Sequence, residues 1–235
     1  MPRLFAVSDL HLSGAVPTKA MDIFGPQWQD HAGKIERAWR ERVGDDDVVL
    51  VAGDISWAMT MEEAQCDIDW IGALPGQKVL IKGNHDFWWG SIGRVRGMCN
   101  ASMHILQNDC VTLGGIAFAG SRGWTCPGGA NDTPQDRKIY QREALRLEMS
   151  LQAAEKTGLP IVAMMHYPPF NERQEDSAFT ELFERYGVGR VIYGHLHGPA
   201  TRYAFCGERN GVVYTLTSCD AIGFSPLLIG DLNEK

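Results

Sequence analysis

No apolar run in this chain exceeds five residues; Val48 to Ala52 and Ile161 to Met165 are the longest. A transmembrane helix needs about 20, so a membrane-spanning role is not expected. Leu4-Phe5-Ala6-Val7 is too short for a secretory signal core and stops at Ser8-Asp9. Paired-cysteine signals are missing as well. Cys66, Cys99, Cys110, Cys126, Cys206 and Cys219 include no C-x-x-C spacing, which excludes a zinc ribbon or a thioredoxin-like motif. In a chain of this size they read as reduced thiols of a soluble, cytoplasmic protein. Basic residues are in deficit, 22 Lys and Arg against 29 Asp and Glu, for a net charge of −7. Nucleic-acid backbones and anionic membranes are held by a basic footprint, so neither is expected as a partner. No linker, internal repeat or low-complexity stretch interrupts the 235 residues, and a single domain over residues 1–235 is expected.

What is present is an ordinary globular composition, 44% hydrophobic and 22% charged. Short β-type runs recur, each ending in a polar residue flanked by glycine or serine. Leu4 to Val7 leads into Ser8-Asp9, Val48 to Ala52 into Gly53-Asp54, and Val79 to Ile81 into Gly83-Asn84-His85-Asp86. Ile161 to Met165 leads into His166, and Val191 to Tyr193 into Gly194-His195-Leu196-His197. Near-continuous apolar runs suit strands buried on both faces. Between them, Thr60-Met61-Glu62-Glu63 is a capping box that opens a helix carrying Ala64, Ile68 and Ile71 to about Gly72. Thr133-Pro134-Gln135-Asp136 opens a second helix, with Tyr140, Ala144, Leu147, Leu151 and Ala154 at helical spacing. Further helices are expected around Ile35 to Trp39 and around Phe179 to Tyr186. Gly114-Gly115 between Val111–Leu113 and Ile116–Ala119 signals a hairpin. Arg202 to Phe205, Val212 to Leu216 and Leu227 to Ile229 read as antiparallel strands. Alternating β and α followed by a β-rich end predicts an α/β sandwich. The glycine-rich stretch Gly120 to Asn131 reads as an active-site loop.

Ligands of open α/β sheets bind outside the carboxyl ends of the strands, and this chain puts its Asp, Asn and His residues there. Asp9 and His11 are two apart, as are His195 and His197, so each pair points one way in extended chain. Asp54, Asn84, His85, Asp86 and His166 follow other strands. The donors are nitrogen and oxygen without sulfur, which suits Mn, Fe or Zn. They are too many for one ion, and two ions require a bridging carboxylate, for which Asp54 is placed. A pair of ions about 3.5–4 Å apart can hold a hydroxide, lower its pKa and clamp a phosphoryl oxygen. His31 and His104 fit no such pattern and are left out.

In order, Asp9-Leu10-His11, Gly53-Asp54, Gly83-Asn84-His85-Asp86, His166 and Gly194-His195-Leu196-His197 resemble the calcineurin-like metallophosphoesterase superfamily, over residues 9 to 197. The longer run of sequence is similar to a bacterial subgroup of predicted phosphohydrolases. The resemblance implies two packed mixed β-sheets flanked by helices, a four-layer sandwich. It implies two divalent metal ions, one held by Asp9, His11, Asp54 and His197, the other by Asp54, Asn84, His166 and His195. It places His85 beside the leaving group, with Asp86 as its orienting neighbour. The implied activity is phosphoester hydrolysis by a hydroxide bridging the two ions, on a small phosphorylated substrate.

One departure bears on the substrate. Protein serine/threonine phosphatases continue G-D with a second Asp followed by Arg-Gly, whereas Gly53-Asp54 continues Ile55-Ser56-Trp57-Ala58. A phosphodiester or small phosphomonoester is therefore expected rather than a phosphoprotein. Arg122, at the start of the glycine-rich loop, reads either as a solvated surface residue or as the guanidinium contact to substrate phosphate. The aromatics Trp57, Phe87, Trp88, Trp89, Trp124, Tyr167 and Phe170 read either as packing or as a stacking wall for a base, sugar or aryl group. A catalytically idle scaffold of the same fold is the non-enzyme alternative, although every ligand position and His85 are filled. A nuclease of the superfamily is the other, with the acidic balance against it.

Overall fold

Among the described residues eleven strands of three to six residues form, most of them from Val-, Ile- and Leu-rich runs, because branched side chains pack well on a pleated surface. The computed structural model describes residues 2–16, 19, 21–129 and 132–232. In chain order the elements are β1 Arg3–Val7, α1 His31–Arg42, β2 Val48–Val51, α2 Met61–Gly72, β3 Gln77–Leu80, α3 Ile92–Gly97, β4 Met103–Ile105 and β5 Val111–Leu113. They continue with β6 Ile116–Ser121, α4 Pro134–Glu155, β7 Ile161–Met165, α5 Ala178–Arg185, β8 Arg190–Tyr193, β9 Gly207–Arg209, β10 Val212–Leu216 and β11 Leu227–Asp231.

The strands make two mixed sheets, ordered β11-β1-β2-β3-β4 and β5-β6-β7-β8-β10-β9. Strands β1 to β4 run parallel, as do β6, β7, β8 and β10, while β11, β5 and β9 are antiparallel edges. Alternate residues face alternate layers. Leu4, Ala6, Val48, Leu50, Val79 and Ile81 of the first sheet meet Phe118, Val162, Met164 and Ile192 of the second. Phe5, Val7, Val49, Val51 and Leu80 face outward onto Ile35, Trp39, Ala64, Ile68 and Val95 of α1, α2 and α3. Ala117, Ala163, Val191 and Tyr193 face outward onto Leu147, Leu151, Phe179 and Phe183 of α4 and α5. The result is the expected four-layer sandwich, with each fully buried Val, Leu, Ile or Phe contributing roughly 1.5–3 kcal/mol.

The capping box at Thr60 forms as read: its side chain accepts from the Glu63 N–H at 3.2 Å, and Glu63 Oε2 accepts from the Thr60 N–H at 3.2 Å. Thr133 caps α4 in the same way, accepting from the Asp136 N–H. Two expectations fail. Residues Gly198–Tyr203 form a 3-10 turn, and no strand covers Arg202 to Phe205. Strand β10 is antiparallel only to β9 and lies parallel to β8, its neighbour on the other side. In the glycine-rich stretch, β6 extends to Ser121; residues 130 and 131 lie outside the described residues. Among the described residues no helix is long and apolar enough to cross a membrane.

The two sheets are joined at the carboxyl ends of their central strands. Ser8 forms a bridge with Ser218, and the Ser8 N–H donates to Thr217 O at 2.8 Å. Beside it the Asp9 N–H donates to Gly53 O at 2.9 Å, and the Gly194 N–H to His166 O at 3.1 Å. This seam fixes where the polar strand-end residues go.

Candidate metal centre

Five strand ends deliver side chains to the seam: Asp9 and His11 beyond β1, Asp54 beyond β2, Asn84 beyond β3, His166 beyond β7, and His195 and His197 beyond β8. Four of these residues turn sharply. Asp9 (φ 59°), His11 (φ 45°), Asp54 (φ 52°) and His195 (φ 72°) all adopt left-handed backbone, which costs about 1–3 kcal/mol each and persists where surrounding structure enforces it. The neighbouring glycines leave room for the approach. A Cβ on Gly194 would collide with Asp9 Oδ2, and one on Gly83 with Asp54 Oδ1.

The seven side chains fall into two groups around one shared atom. In the first, His11 Nε2 lies 3.4 Å from His197 Nε2, and His197 Nε2 lies 3.3 Å from Asp9 Oδ1. In the second, Asn84 Oδ1 lies 2.6 Å from His166 Nε2 and 2.9 Å from His195 Nδ1, with those two nitrogens 3.3 Å apart. Asp54 Oδ2 faces both, 3.8 Å from His11 Nε2 and 3.4 Å from His166 Nε2. Its other oxygen, Oδ1, accepts the His85 N–H at 2.8 Å. Asp9 is also close to Asp54 and His166, but its 3.9 Å approach is to His166 Nδ1. That nitrogen donates to Ala52 O at 3.0 Å, so the free lone pair of His166 is on Nε2, toward Asn84.

Charge is poorly balanced without a cation. Burial, then the charges of Asp86 and Asp9, push the Asp54 carboxyl up to about 9. Burial pushes His166 down to about 4; burial and the charge of His166 push His195 down to about 3. His11 falls well below its ordinary value, chiefly by burial. Neutral imidazoles present lone pairs, and ring nitrogens of His166 and His195 face one another across 3.3 Å. His11 Nδ1 is buried without a partner among the described residues. Asp9 is pushed up by burial, yet the hydrogen bond from His197 and the charges of His166, His197 and His11 hold it below the usual carboxylate range. This mixture of carboxylates, imidazoles and an amide oxygen fits divalent cations, whose charge stabilises the carboxylates and fills the space between facing nitrogens.

His197 is the exception among the rings. Burial alone would lower it, but hydrogen bonds and charge from Asp220 and Asp9 push it up to about 10. Asp220 belongs to none of the sequence motifs. Its Oδ1 accepts from His197 Nδ1 at 2.8 Å, and its Oδ2 from the Gly198 N–H at 2.9 Å. It follows β10 as the other polar residues follow their strands, and that placement was its available signal. Trp28, likewise outside the motifs, packs edge-on against His11 and His197 with centroids 6.2 and 5.5 Å away.

His85, Asp86 and Arg122 lie at different removes. The His85 ring stands 5.8 Å from that of His11 and 4.6 Å from Trp57. Asp86 does not orient it. The Asp86 carboxylate is fully buried and accepts from the N–H groups of Gly83, Ile55 and Ser56 and from Trp88 Nε1, at 2.7–3.2 Å. It therefore ties the turn after β3 to the turn after β2. Arg122 is ion-paired with buried Glu143 at 3.1 Å and lines a cavity that none of the seven residues borders. The aromatics divide too. Trp57 stacks on His11 at 4.9 Å and Tyr167 lies tilted over His195 at 4.1 Å, while Trp88 and Trp89 are buried in the core beneath.

A family model described as calcineurin-like phosphoesterase matches residues 2–199. The Gene 66 protein of Mycobacterium phage D29 is 41% identical over 210 residues, 89% of this chain and 85% of that protein. TT1561 of Thermus thermophilus superimposes over 100% of this chain and 92% of its own, with a TM-score of 0.59 at 14% identity. The phosphopantetheinyl hydrolase of Mycobacterium tuberculosis does so over 91% and 87%, with a TM-score of 0.53 at 18% identity, and these two show the shared fold. With the family model spanning most of the chain and the phage relative covering most of its length, the chain belongs to the calcineurin-like phosphoesterase family.

Proposed function

We propose that the chain is a metal-dependent phosphohydrolase that cleaves a phosphodiester or a small phosphomonoester at two divalent transition-metal ions. The observation that carries this reading is the position of Asp54 Oδ2, 3.8 Å from His11 Nε2 and 3.4 Å from His166 Nε2, where it faces a donor of each group. Asp9, His11, Asp54 and His197 would hold one ion, and Asp54, Asn84, His166 and His195 the other. The nitrogen and oxygen donors suit Mn, Fe or Zn. When bound, such a pair supplies Lewis-acid chemistry, lowering the pKa of water and clamping phosphoryl oxygens.

The chain's own residues do the rest. Asp220 and the Ala52 carbonyl accept hydrogen bonds from Nδ1 of His197 and His166, which leaves Nε2 of each ring for the ion it would hold and raises its basicity. The His85 main-chain N–H holds Asp54 Oδ1, so Oδ2 remains for sharing. The His85 side chain, beside the donors and Trp57, donates a hydrogen bond or a proton to the leaving oxygen. Asp86 keeps the two turns in register, and Trp57 and Tyr167 wall the donors from bulk water. We read residues 1–235 as one catalytic unit working in the cytoplasm, in keeping with six unpaired cysteines. A net charge of −7 counts against a nucleic-acid substrate.

Hydrolysis of bis-p-nitrophenyl phosphate or p-nitrophenyl phosphate should appear with Mn²⁺ and vanish with chelator. Metal-replete protein that cleaves nothing in a broad phosphoester panel would overturn the assignment in favour of a scaffold.

A further inference from the structure

A cavity of about 200 Å³ lies between the ends of β3 and β6 and the flank of α4, and none of the candidate metal ligands lines it. It is smaller than the roughly 300–1,000 Å³ of sites for drug-sized ligands. Three cationic side chains, Lys82, Arg122 and Arg146, face a single carboxylate there, Glu143. Glu143 is buried, with Oε1 3.1 Å from Arg122 Nη2 and 2.6 Å from Arg146 Nη1. One carboxylate against three cations leaves the lining with an excess of two positive charges. Arg122 Nε is buried and has no acceptor among the described residues, an arrangement that native interiors avoid unless something else supplies one. The Lys82 amine is near enough to Arg122, Glu143 and Arg146 to feel their charges, and burial pushes it down. At the mouth, Gln107 Oε1 accepts from Trp89 Nε1 at 3.1 Å, so the amide NH₂ is the free end of that side chain. The cavity thus offers donors of several kinds and no charged acceptor beyond Glu143.

We propose that this cavity binds a small tetrahedral oxyanion of the phosphate class. Such an ion has several acceptor oxygens, accepts charge-assisted bonds from guanidinium and ammonium groups, and neutralises the two excess charges. The site is coupled to the candidate centre by main chain, because the Arg122 carbonyl accepts the N–H groups of His166 at 3.1 Å and Tyr167 at 2.9 Å. An anion that fixes Arg122 therefore steadies the segment that carries His166. Its source is either free inorganic phosphate or a second phosphoryl group on the substrate.

The test is calorimetric titration of the full-length, metal-loaded protein with inorganic phosphate, and it does not depend on hydrolytic activity. A saturable site beyond any at the candidate metal centre is expected, and it should weaken about tenfold or more in Lys82→Met and in Arg146→Met, the loss of one charge-assisted contact. Glu143→Gln, which keeps the shape and removes the competing charge, should tighten it. Metal content and melting temperature check that each variant is folded. Opposite signs cannot arise from general loosening; phosphate affinity unmoved by all three, or moved in one direction by all three, overturns the proposal. Kinetics then separate the sources. A KM rise in Arg146→Met for an alkanediol bisphosphate but not for p-nitrophenyl phosphate identifies a substrate phosphoryl group, and equal effects on both identify the free ion.

Discussion

Replacing Asp220 by Asn tests whether a carboxylate behind His197 prepares that ring to hold a metal. In the protein Asp220 accepts from His197 Nδ1 at 2.8 Å and from the Gly198 N–H at 2.9 Å. With Asp9 it raises His197 to about 10 against the pull of burial, and burial with Asp86 and Asp9 raises Asp54 to about 9. Both groups therefore carry a proton in the metal-free protein at pH 7.5, and both must lose it to act as ligands. Loading should release about two protons per chain at that pH. The apparent affinity should climb with pH until it passes about 9 and then about 10. At roughly 1.36 kcal/mol per pH unit, removing the His197 proton at pH 7.5 costs about 3 kcal/mol.

An Asn at 220 keeps the shape and can still accept from Gly198, but it carries no charge, so His197 should fall toward its ordinary 6.5. Metal loading of the Asp220→Asn variant should then release about one proton instead of two. Above pH 10, where protons no longer compete, the variant should bind metal about 10–100-fold more weakly, because the ring has lost basicity and orientation. Near pH 7.5 these effects oppose one another, which makes the proton count the decisive quantity. Titrating Mn²⁺ into both proteins in buffers of different ionisation enthalpy measures it. An equal count in both would refute the argument that Asp220 sets the protonation of a ligand.

Asp54→Ala should remove both ions, since Oδ2 is the shared donor; elemental analysis finding one tightly held ion in parent and variant would sink the bridging assignment. Chelation should lower the melting temperature. An ion present at 100 times its dissociation constant contributes about 2.7 kcal/mol, equivalent to roughly 5–10 °C per site for a chain of this size, and a superimposable melting curve would count against resident metal. Gly194→Ala drives a Cβ into Ser8 Oγ and Asp9 Oδ2, well inside van der Waals contact. It should cost about 1–3 kcal/mol and weaken metal binding; unaltered denaturation and metal titrations would show that the contact relaxes freely.

Much of this arrangement was legible in the chain because it rests on local signals. Fully buried parallel strands read as unbroken apolar runs; β1, β7 and β8 end directly before Ser8, His166 and Gly194, and β2 and β3 end one and two residues short of Gly53 and Gly83. The caps at Thr60 and Thr133 announce α2 and α4. What was not legible depends on partners distant in sequence. Strand β10 reads the same whether its neighbour runs parallel or antiparallel, and only the placement of β8 decides. Arg202 to Phe205 has the pattern of a strand, yet Pro199 opens a 3-10 turn at Gly198–Tyr203, and Tyr193 Oη donates to the Phe205 carbonyl at 2.8 Å. The six-residue α3 and three-residue β4 and β9 are too short to show a period. Asp86 sits beside His85 in sequence, but four donors from other residues claim its carboxylate. The left-handed turns at Asp9, His11, Asp54 and His195 also leave no mark on composition. They are imposed by the seam between the sheets.

His85 is where the reading of the site meets the reading of the chemistry. Its main chain is fixed by the 2.8 Å bond to Asp54 Oδ1, so substituting the side chain leaves that bond in place. Its ring lies against Trp57 at 4.6 Å and Phe87 at 6.1 Å and makes no hydrogen bond with a described residue. Burial, opposed by the charge of Asp9 and reinforced by those of His197 and Lys19, lowers its pKa. A neutral imidazole still donates one N–H, and a bound phosphoryl dianion favours the doubly protonated form. Donation to a leaving oxygen contributes about 10²–10⁴-fold, and His85→Ala should lose that much of kcat with both ions retained by elemental analysis. The loss should be greatest for alkyl phosphoesters, whose leaving oxygen needs a proton, and least for p-nitrophenolate. With the alkyl substrate, parent activity should also fall as pH rises above the ordinary histidine range, a limb that the variant lacks. An equal loss on both substrates, with no such limb, would mean that His85 binds the phosphoryl group without donating a proton, and no loss at all would remove it from the mechanism.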